Sequence, residues 1–281
     1  MTRHLRSLHD LEGAELTRIV DLAAELKKDR GAHADALRGK SIAMIFSKPS
    51  TRTRVSFEVG IHQLGGNPLF LAASGSTGMQ LTRGETPHDT AVMRTFAQRD
   101  VDDLAKHSDV PVINALTDSY HPCQALADVL TIKEHLGDAR GKKLVYVGAG
   151  NNVTASLMLA GPRAGMDVVC ACPERLPPPE KTLKRAQADA EAAGTSVTVE
   201  ADIMKAVSGA HVLYTDAWVS MGQEDEADEL RQQLESFRVS GKVMAAADPK
   251  AIFMHCLPAH RGDEVTDEVI DGPQSVDFDQ A

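Results

Sequence analysis

The chain has 281 residues, of which 42% are hydrophobic and 25% charged, and this composition excludes disorder throughout. Its 40 acidic and 30 basic residues give a net charge of −10, which argues against a general nucleic-acid-binding protein. No apolar run approaches the roughly 18 residues of a membrane span, and the N-terminus lacks the apolar core of a secretory signal. The four cysteines form no CxxC pair, which favours a reducing compartment, so we expect a cytoplasmic protein.

The first half of the chain is predicted to alternate helices with short apolar strands. Ser50 stands where a helix cap belongs, and a glycine pair after the following apolar stretch stops that helix. In chain order the predicted elements are helix 15–28, strand 41–46, helix 51–64, strand 69–73, strand 110–115 and helix 121–136.

The second half alternates more regularly, and its strands are nearly continuous apolar runs. Such strands, alternating with helices, indicate a parallel sheet covered on both faces. We therefore predict an α/β fold of two doubly wound domains, each a mostly parallel sheet with helices on both faces. A polar, glycine-containing segment at 137–143 separates residues 1–136 from residues 137–281. The predicted strands are 143–147, 167–172, 197–200, 211–215 and 252–255, and the predicted helices are 152–164 and 179–193.

The turn Ser47–Arg54 concentrates hydroxyl and guanidinium groups between a predicted strand and a predicted helix. Backbone N–H groups and the helix dipole favour an anion at such a helix start, and arginine adds bidentate recognition of phosphate oxygens. The pattern predicts a phosphate or carboxylate site. The alternative is a capped helix with surface arginines. The chain has no GxxxxGK[ST] phosphate loop.

Two other helix starts contain polar groups. His121 and Gln124 can both donate hydrogen bonds to a polarised carbonyl oxygen, although ordinary capping is the favoured interpretation of that pair alone. A metal site there is disfavoured, because no second ligand pair has zinc spacing. The turn Gly148–Asn152 resembles half of a dinucleotide-binding fingerprint, with Glu174 where a ribose-binding acid belongs. The third glycine is absent, so an NAD-dependent dehydrogenase is only an alternative.

Two predicted strands end in chemically active side chains. Asp216, at the carboxyl end of a parallel strand, is placed for a ligand crevice and can pair with an ammonium group. A strand end beside a core Trp218 explains the same pattern. Cys256, followed closely by His260 and Arg261, is typical either of a thiol nucleophile with a lowered pKa or of a loop with a buried cysteine. Spacing alone does not separate the two.

Together and in this order, these motifs resemble the aspartate/ornithine carbamoyltransferase family. The Ser50–Arg54 run and the His121-Pro122-x-Gln124 motif are similar to the half that binds carbamoyl phosphate, whereas Asp216–Gly222 and His255–Pro258 are similar to the ornithine branch. The resemblance implies transfer of the carbamoyl group of carbamoyl phosphate to the δ-amine of L-ornithine, giving L-citrulline and phosphate, in a cleft between the two domains. Arginine biosynthesis and a catabolic arginine deiminase route are both compatible with it.

The resemblance also implies partners and residue roles. It implies no metal, no organic cofactor, no nucleic acid and no membrane, and a homotrimer or a multiple of trimers with active sites near subunit interfaces. Catalysis falls to Thr53, Arg94, His121, Asp216 and Cys256, through stabilisation of a tetrahedral intermediate and orientation of the amine. Carbamoyl phosphate is assigned to Ser50, Thr51, Arg52, Thr53, Gln80, Arg94, His121, Gln124 and Arg261. Ornithine is assigned to Asn152, Asp216, Ser220, Met221, Cys256 and Leu257.

The sequence departs from the family pattern where Ala91 joins Val92, because relatives have most of a helix and the start of a strand there. The segment 73–92 must then serve as active-site loop and as the crossover of about a dozen residues that parallel strands require, so the placement of Arg94 and Gln80 is an open question. Thr154 and Ala155 replace a usual His or Asn, and relatives continue past residue 281 into a helix. These departures motivate two alternatives: a catalytically impaired carbamoyl-phosphate-binding relative, and a carbamoyltransferase for another amine such as N-acetylornithine or putrescine.

Overall fold

The computed structural model describes residues 2–72, 89–219 and 224–281. The chain divides into two compact units, Met1–Cys123 and Gln124–Ala281. Each unit is built on a parallel sheet with helices, so the predicted fold class is confirmed. The division lies within a helix, whereas the sequence predicts a boundary after residue 136, which stays a prediction.

The first unit contains a four-stranded parallel sheet in the order β2-β1-β3-β4. Alternate side chains of the central strand β1 enter two apolar clusters, because successive residues of a strand face opposite sides of the sheet. The strands are β1 (Ser41–Phe46), β2 (Asn67–Ala72), β3 (Thr90–Arg94) and β4 (Val112–Leu116). The helices are α1 (Gly13–Lys28), α2 (Thr51–Gln63), α3 (Gln98–His107) and α4 (Pro122–Leu136), the last of which contains the division between the units.

Strand β3 and helix α3 have no counterpart among the sequence predictions. In α3 only Val101 and Ala105 are buried, so the apolar periodicity is too short to be recognised. Strand β3 begins just before the Ala91–Val92 junction and pairs with β1 so that Phe46 lies opposite Arg94. The shortened segment thus still ends in a strand of the sheet. The loop that contains Gln80 lies outside the described residues.

The second unit contains a five-stranded parallel sheet in the order β7-β6-β5-β8-β9. From β5 the chain proceeds first to one side of the sheet and then to the other, so ligands are expected at the carboxyl ends of β5 and β8. The strands are β5 (Lys143–Val147), β6 (Asp167–Ala171), β7 (Val197–Glu200), β8 (Val212–Thr215) and β9 (Ile252–His255). The larger helices are α5 (Asn152–Arg163), α6 (Glu180–Ala193) and α8 (Ala227–Leu234). Single-turn helices are α7 (Ile203–Val207), α9 (Gly241–Ala245), α10 (Asp267–Ile270) and α11 (Asp277–Gln280).

Helix α5 lies in the core of the second unit, since its residues 153–162 are all buried. Tyr146 of β5 and Tyr214 of β8 stack in this core with ring centroids 6.1 Å apart. A further core cluster contains Val145, Val147 and Phe253 from the sheet together with Trp218 and Leu234. None of the described helices is both long and apolar enough to cross a membrane.

Candidate active site

The anion-binding prediction falls on the start of α2. Ser50 caps the helix: its Oγ accepts a hydrogen bond from the Thr53 backbone N–H at 3.3 Å and donates one to the Thr53 Oγ1 at 3.0 Å. The predicted cap is therefore confirmed. Thr51 and Arg52 occupy the first turn of the helix and are exposed, where the positive end of the helix dipole adds to the arginine charge.

Arg94 brings a second cation to this helix start. Its Nη1 donates a hydrogen bond to the Thr53 Oγ1 at 3.2 Å, although the side chain is only 7% exposed. The Nε atom is buried and has no acceptor. Burial, followed by repulsion from Arg52, lowers the pKa of Arg94 to about 10. A buried guanidinium with an unused donor and a cation as neighbour is costly, and a bound anion removes that cost.

His121 lies just before α4, within reach of the same charges. Burial, with further contributions from Arg94 and Arg52, lowers the pKa of His121 to about 3. The imidazole is therefore neutral at physiological pH and offers an uncharged N–H donor. Thr53, Arg94 and His121, which the sequence assigns to one oxyanion, are thus coupled to one another by a hydrogen bond or by charge.

The second cluster lies at the carboxyl ends of β5, β8 and β9 in the second unit. Asp216 Oδ1 accepts hydrogen bonds from the Cys256 thiol at 2.9 Å and from the Ala217 backbone N–H at 2.8 Å. Asp216 Oδ2 accepts one from Asn151 Nδ2 at 2.7 Å. The sheet order juxtaposes these three side chains, as expected for the point where the chain reverses direction around β5.

The surroundings of Cys256 disfavour a thiolate nucleophile. Burial and the adjacent Asp216 carboxylate raise the pKa of Cys256 well above its usual value. A reactive cysteine needs a neighbouring cation and a lowered pKa. Cys256 is therefore a neutral thiol that donates to Asp216, which resolves the alternative that spacing left open.

The loop after β9 is held by a buried pair that the sequence analysis missed. His255 Nδ1 accepts a hydrogen bond from the Leu257 backbone N–H at 2.8 Å, and its Nε2 lies 3.2 Å from Glu264 Oε1. Both side chains are 0% exposed. The pair restrains Leu257, whose positive φ of 53° is unusual for a residue with a side chain. In the sequence, the available signal for this pair is the position of Glu264 nine residues after His255.

The remaining predicted residues have the following surroundings. Asn152 is the first residue of α5, next to Asn151, whose side chain donates to Asp216. Arg261 lies at the surface of the second unit, where Asp267 at 3.1 Å and Asp271 at 2.8 Å accept from its guanidinium. The role of Arg261 toward carbamoyl phosphate stays a prediction. Gln80, Ser220 and Met221 lie outside the described residues.

The substitution at Thr154 has a local explanation. Its Oγ1 accepts a hydrogen bond from the Asn151 backbone N–H at 3.3 Å, while the Asn151 side chain caps the N–H groups of Val153 and Thr154. This reciprocal capping box fixes the start of α5. Thr154 therefore positions Asn151, and through it Asp216.

Two segments that together span almost the whole chain match the two domains of a known family. Residues 3–134 match the family described as aspartate/ornithine carbamoyltransferase, carbamoyl-P binding domain, and residues 140–281 match its Asp/Orn binding domain. The chain belongs to the aspartate/ornithine carbamoyltransferase family. The resemblance inferred from the motifs is thereby confirmed.

Individual members of the family are similar over almost the whole chain. The ornithine carbamoyltransferase of Carboxydothermus hydrogenoformans is 49% identical over 99% of this chain and 93% of its own length. The anabolic ornithine carbamoyltransferase of Pyrococcus furiosus is 50% identical over 99% of this chain and 91% of its own length. Among solved structures, Pyrococcus furiosus ornithine carbamoyltransferase superposes with a TM-score of 0.92 at 49% identity, covering 99% of this chain and 92% of that one. Ornithine transcarbamoylase from Giardia lamblia superposes with a TM-score of 0.90 at 33% identity, covering 100% of this chain and 93% of that one.

Proposed function

We propose that this chain is an ornithine carbamoyltransferase, which transfers the carbamoyl group of carbamoyl phosphate to the δ-amine of L-ornithine and releases L-citrulline and phosphate. The observation that carries the proposal is its 49–50% identity, over 99% of the chain, to proteins of that name. The two polar clusters supply the matching chemistry. One is cationic and suits a phosphate ester, and the other contains a carboxylate and suits an amino acid.

The proposed reaction begins with attack of the neutral δ-amine on the carbamoyl carbon. The attack places negative charge on the former carbonyl oxygen, where the Arg94 guanidinium, the neutral His121 N–H and the Thr53 hydroxyl stabilise it. Phosphate then leaves as the carbon–oxygen bond breaks, and the amine proton passes to the departing phosphate. Ser50, Thr51 and Arg52 stabilise the leaving group through the helix start and one guanidinium.

In the ornithine half, Asp216 is proposed to accept from the amino-acid end of the substrate, with Asn152, Ser220, Met221 and Leu257 as further contacts. Cys256 keeps Asp216 oriented and lies beside the amine. Gln80 and Arg261 stay predicted contacts of carbamoyl phosphate. No step of this sequence calls for a metal or an organic cofactor. We further propose a cytoplasmic homotrimer that works in arginine biosynthesis, the direction named for one relative.

The test is citrulline formation from carbamoyl phosphate by the purified chain, with ornithine, N-acetylornithine and putrescine as competing acceptors. We expect ornithine to be the best acceptor by at least about tenfold, because Asp216 offers a charged partner to a free α-amino acid. A faster reaction with putrescine or N-acetylornithine would overturn the choice of acceptor. Tight binding of carbamoyl phosphate without any citrulline would favour the impaired relative instead.

A matched pair of arginine variants tests the anion site in the same assay. Arg52→Ala should lose phosphate affinity and rate together, by about tenfold or more, because it removes charge-assisted bonds to the leaving group. Arg54→Ala is the control, since Arg54 is also exposed on α2 but lies 3.2 Å from Glu58. Equal kinetics for wild type and Arg52→Ala would contradict the anion site and leave the start of α2 as a helix cap without a role in binding.

A further inference from the structure

Helix α4 contains a buried carboxyl group that the proposed reaction does not use. Asp128 lies one turn after Gln124 on α4 and is 0% exposed. Its Oδ1 accepts hydrogen bonds from Gln124 Nε2 at 2.9 Å and from Gln280 Nε2 at 2.7 Å, and its Oδ2 has no partner. Gln124 and Gln280 are neutral amides, and the Tyr214 hydroxyl, which also contributes a hydrogen bond, is neutral as well. Asp128 is therefore buried without the charge compensation that usually accompanies a buried carboxylate.

Gln280 fixes the Asp128 carboxyl in place. Besides contacting Asp128, Gln280 Nε2 lies 3.0 Å from the Tyr214 hydroxyl, and Gln280 Oε1 accepts a hydrogen bond from the His255 backbone N–H at 2.9 Å. Asp128 Oδ1 is thereby tied to β8 and to the residue before Cys256. Moving this oxygen would break several buried hydrogen bonds, each costly to leave unsatisfied.

The position of Asp128 Oδ1 determines which end of the Gln124 amide is available to a ligand. A side-chain amide has one donor end and one acceptor end. Because the Gln124 Nε2 donates to Asp128, its Oε1 is the end left for another partner. The –NH2 of a carbamoyl group is a donor and matches that acceptor. If the Gln124 amide were rotated by half a turn, its –NH2 group would face the –NH2 of the carbamoyl group, and neither could accept a hydrogen bond.

We propose that Asp128 is a positioning residue that holds the Gln124 amide with its nitrogen toward the protein, so that Gln124 Oε1 accepts a hydrogen bond from the carbamoyl –NH2. The inference rests on the proposed function in one respect, namely that a carbamoyl group is the ligand of Gln124. Because Gln124 Oε1 is an acceptor, the site should bind a ligand with a carbamoyl –NH2 more tightly than inorganic phosphate, which has no such group.

The orientation does not depend on the charge of Asp128. Burial raises the pKa of Asp128 to about 7, so both of its protonation states are populated near neutrality. A proton on the unpartnered Oδ2 leaves Oδ1 free to accept from both amides. The acceptor geometry, rather than the negative charge, is therefore the property that Asp128 contributes.

The test measures binding by calorimetry for two ligands. One is phosphonoacetamide, a carbamoyl-phosphate analogue with a methylene in place of the bridging oxygen, and the other is inorganic phosphate. Asp128→Leu removes the acceptor while keeping a side chain branched at Cγ. It should weaken the analogue about tenfold and leave phosphate within about twofold, since one oriented hydrogen bond is lost. Asp128→Asn keeps an acceptor oxygen and should restore analogue binding to within about threefold.

The control variant is Thr131→Val on the same helix. Thr131 is also buried, but its hydroxyl donates only to the Ala127 carbonyl at 3.0 Å. It tests whether loss of any buried polar group on α4 mimics the effect, and it should leave both affinities unchanged. Equal weakening of both ligands in Asp128→Leu, or failure of Asp128→Asn to restore the analogue, would overturn the positioning role.

A double-mutant cycle isolates the action through Gln124. In a Gln124→Ala background, Asp128→Leu should have no further effect on the preference for the analogue over phosphate, because the amide that Asp128 orients is gone. A further tenfold loss would contradict the proposal, as would a wild-type chain that does not prefer the analogue. These measurements need no turnover. A chain that shows the predicted cycle but forms no citrulline would overturn the proposed function and leave this inference standing.

Discussion

At the scale of single residues, the surroundings decide the chemistry of side chains whose type alone is ambiguous. Cys256 is next to a carboxylate instead of a cation, so burial and Asp216 raise the pKa of its thiol and leave it a donor. Burial, with further contributions from the Arg94 and Arg52 guanidinium groups, lowers the pKa of His121 to about 3, so it donates without charge. Both conclusions follow from which charged groups the fold brings near, since a pKa responds to burial and to neighbours.

Asp216 has the clearest separable role. Asp216→Asn removes the negative charge that we propose pairs with the ammonium group of ornithine, so the KM for ornithine should rise by about tenfold or more. The Kd for carbamoyl phosphate should change little, because the cations assigned to it are on α2 and β3. Steady-state kinetics with ornithine and calorimetry with phosphonoacetamide measure the two effects.

Asp248→Asn is the control for that variant, because Asp248 is also in the second unit but accepts from the Lys250 backbone N–H in a surface turn. It should change neither constant. Equal losses for both substrates in Asp216→Asn would contradict the assignment of Asp216 to ornithine alone.

At the scale of elements, the glycine turn after β5 has a packing explanation. A Cβ on Gly150 would lie 2.3 Å from the Pro178 nitrogen and 2.4 Å from the Pro177 carbonyl carbon. These atoms are backbone and cannot move aside. Gly150 is therefore required by the approach of a proline-rich loop, not by a pyrophosphate, and the dehydrogenase alternative loses the motif on which it depended.

Gly150→Ala should consequently lower the free energy of unfolding by about 1–3 kcal/mol, the usual cost of overpacking. Gly60→Ala is the matched control, because Gly60 is inside α2 and an added Cβ meets nothing within 4 Å. That control should stabilise by about 0.5–1 kcal/mol through helix propensity. Urea denaturation measures both, and an equal response of the two variants would contradict the packing explanation.

At the scale of the whole molecule, a buried titratable group in the first unit and one in the second make opposite contributions to the pH dependence of stability. His121 in the first unit resists protonation, so its contribution to stability is present above pH 6.5 and is lost as the pH falls toward 3. Asp128 in the second unit resists deprotonation, so its contribution is present below about pH 4 and is lost as the pH rises through 7. The charge of Asp216 adds to the shift of Asp128, and hydrogen bonds from Gln124, Gln280 and Tyr214 oppose it.

Asp128→Asn should therefore become more stable relative to wild type as the pH rises from 4 to 8, because the variant has no proton to lose. Melting temperatures across that range measure the difference. Asp228→Asn is the control, since the Asp228 side chain is fully exposed, and its difference from wild type should stay constant. A pH-independent difference for Asp128→Asn would contradict a raised pKa at Asp128.

Much of the local structure, and the family, can be predicted from the sequence alone. Strands 41–46, 143–147 and 252–255 are predicted to the residue, because continuous apolar runs between turns indicate buried strands directly. Strand 197–200 is also predicted to the residue, although two of its four residues are exposed. The cap at Ser50 and the order of the motifs were likewise local signals. Helix α3 was missed because its apolar content is low.

Which side chains meet depends on the tertiary structure. Asn151 donates to Asp216, and Arg261 donates to two carboxylates of its own unit. Asp128 meets Gln280 across 152 positions of the chain. Periodicity and spacing describe one segment at a time, whereas sheet order brings distant segments together, and burial then fixes the pKa and the hydrogen bonds of each group.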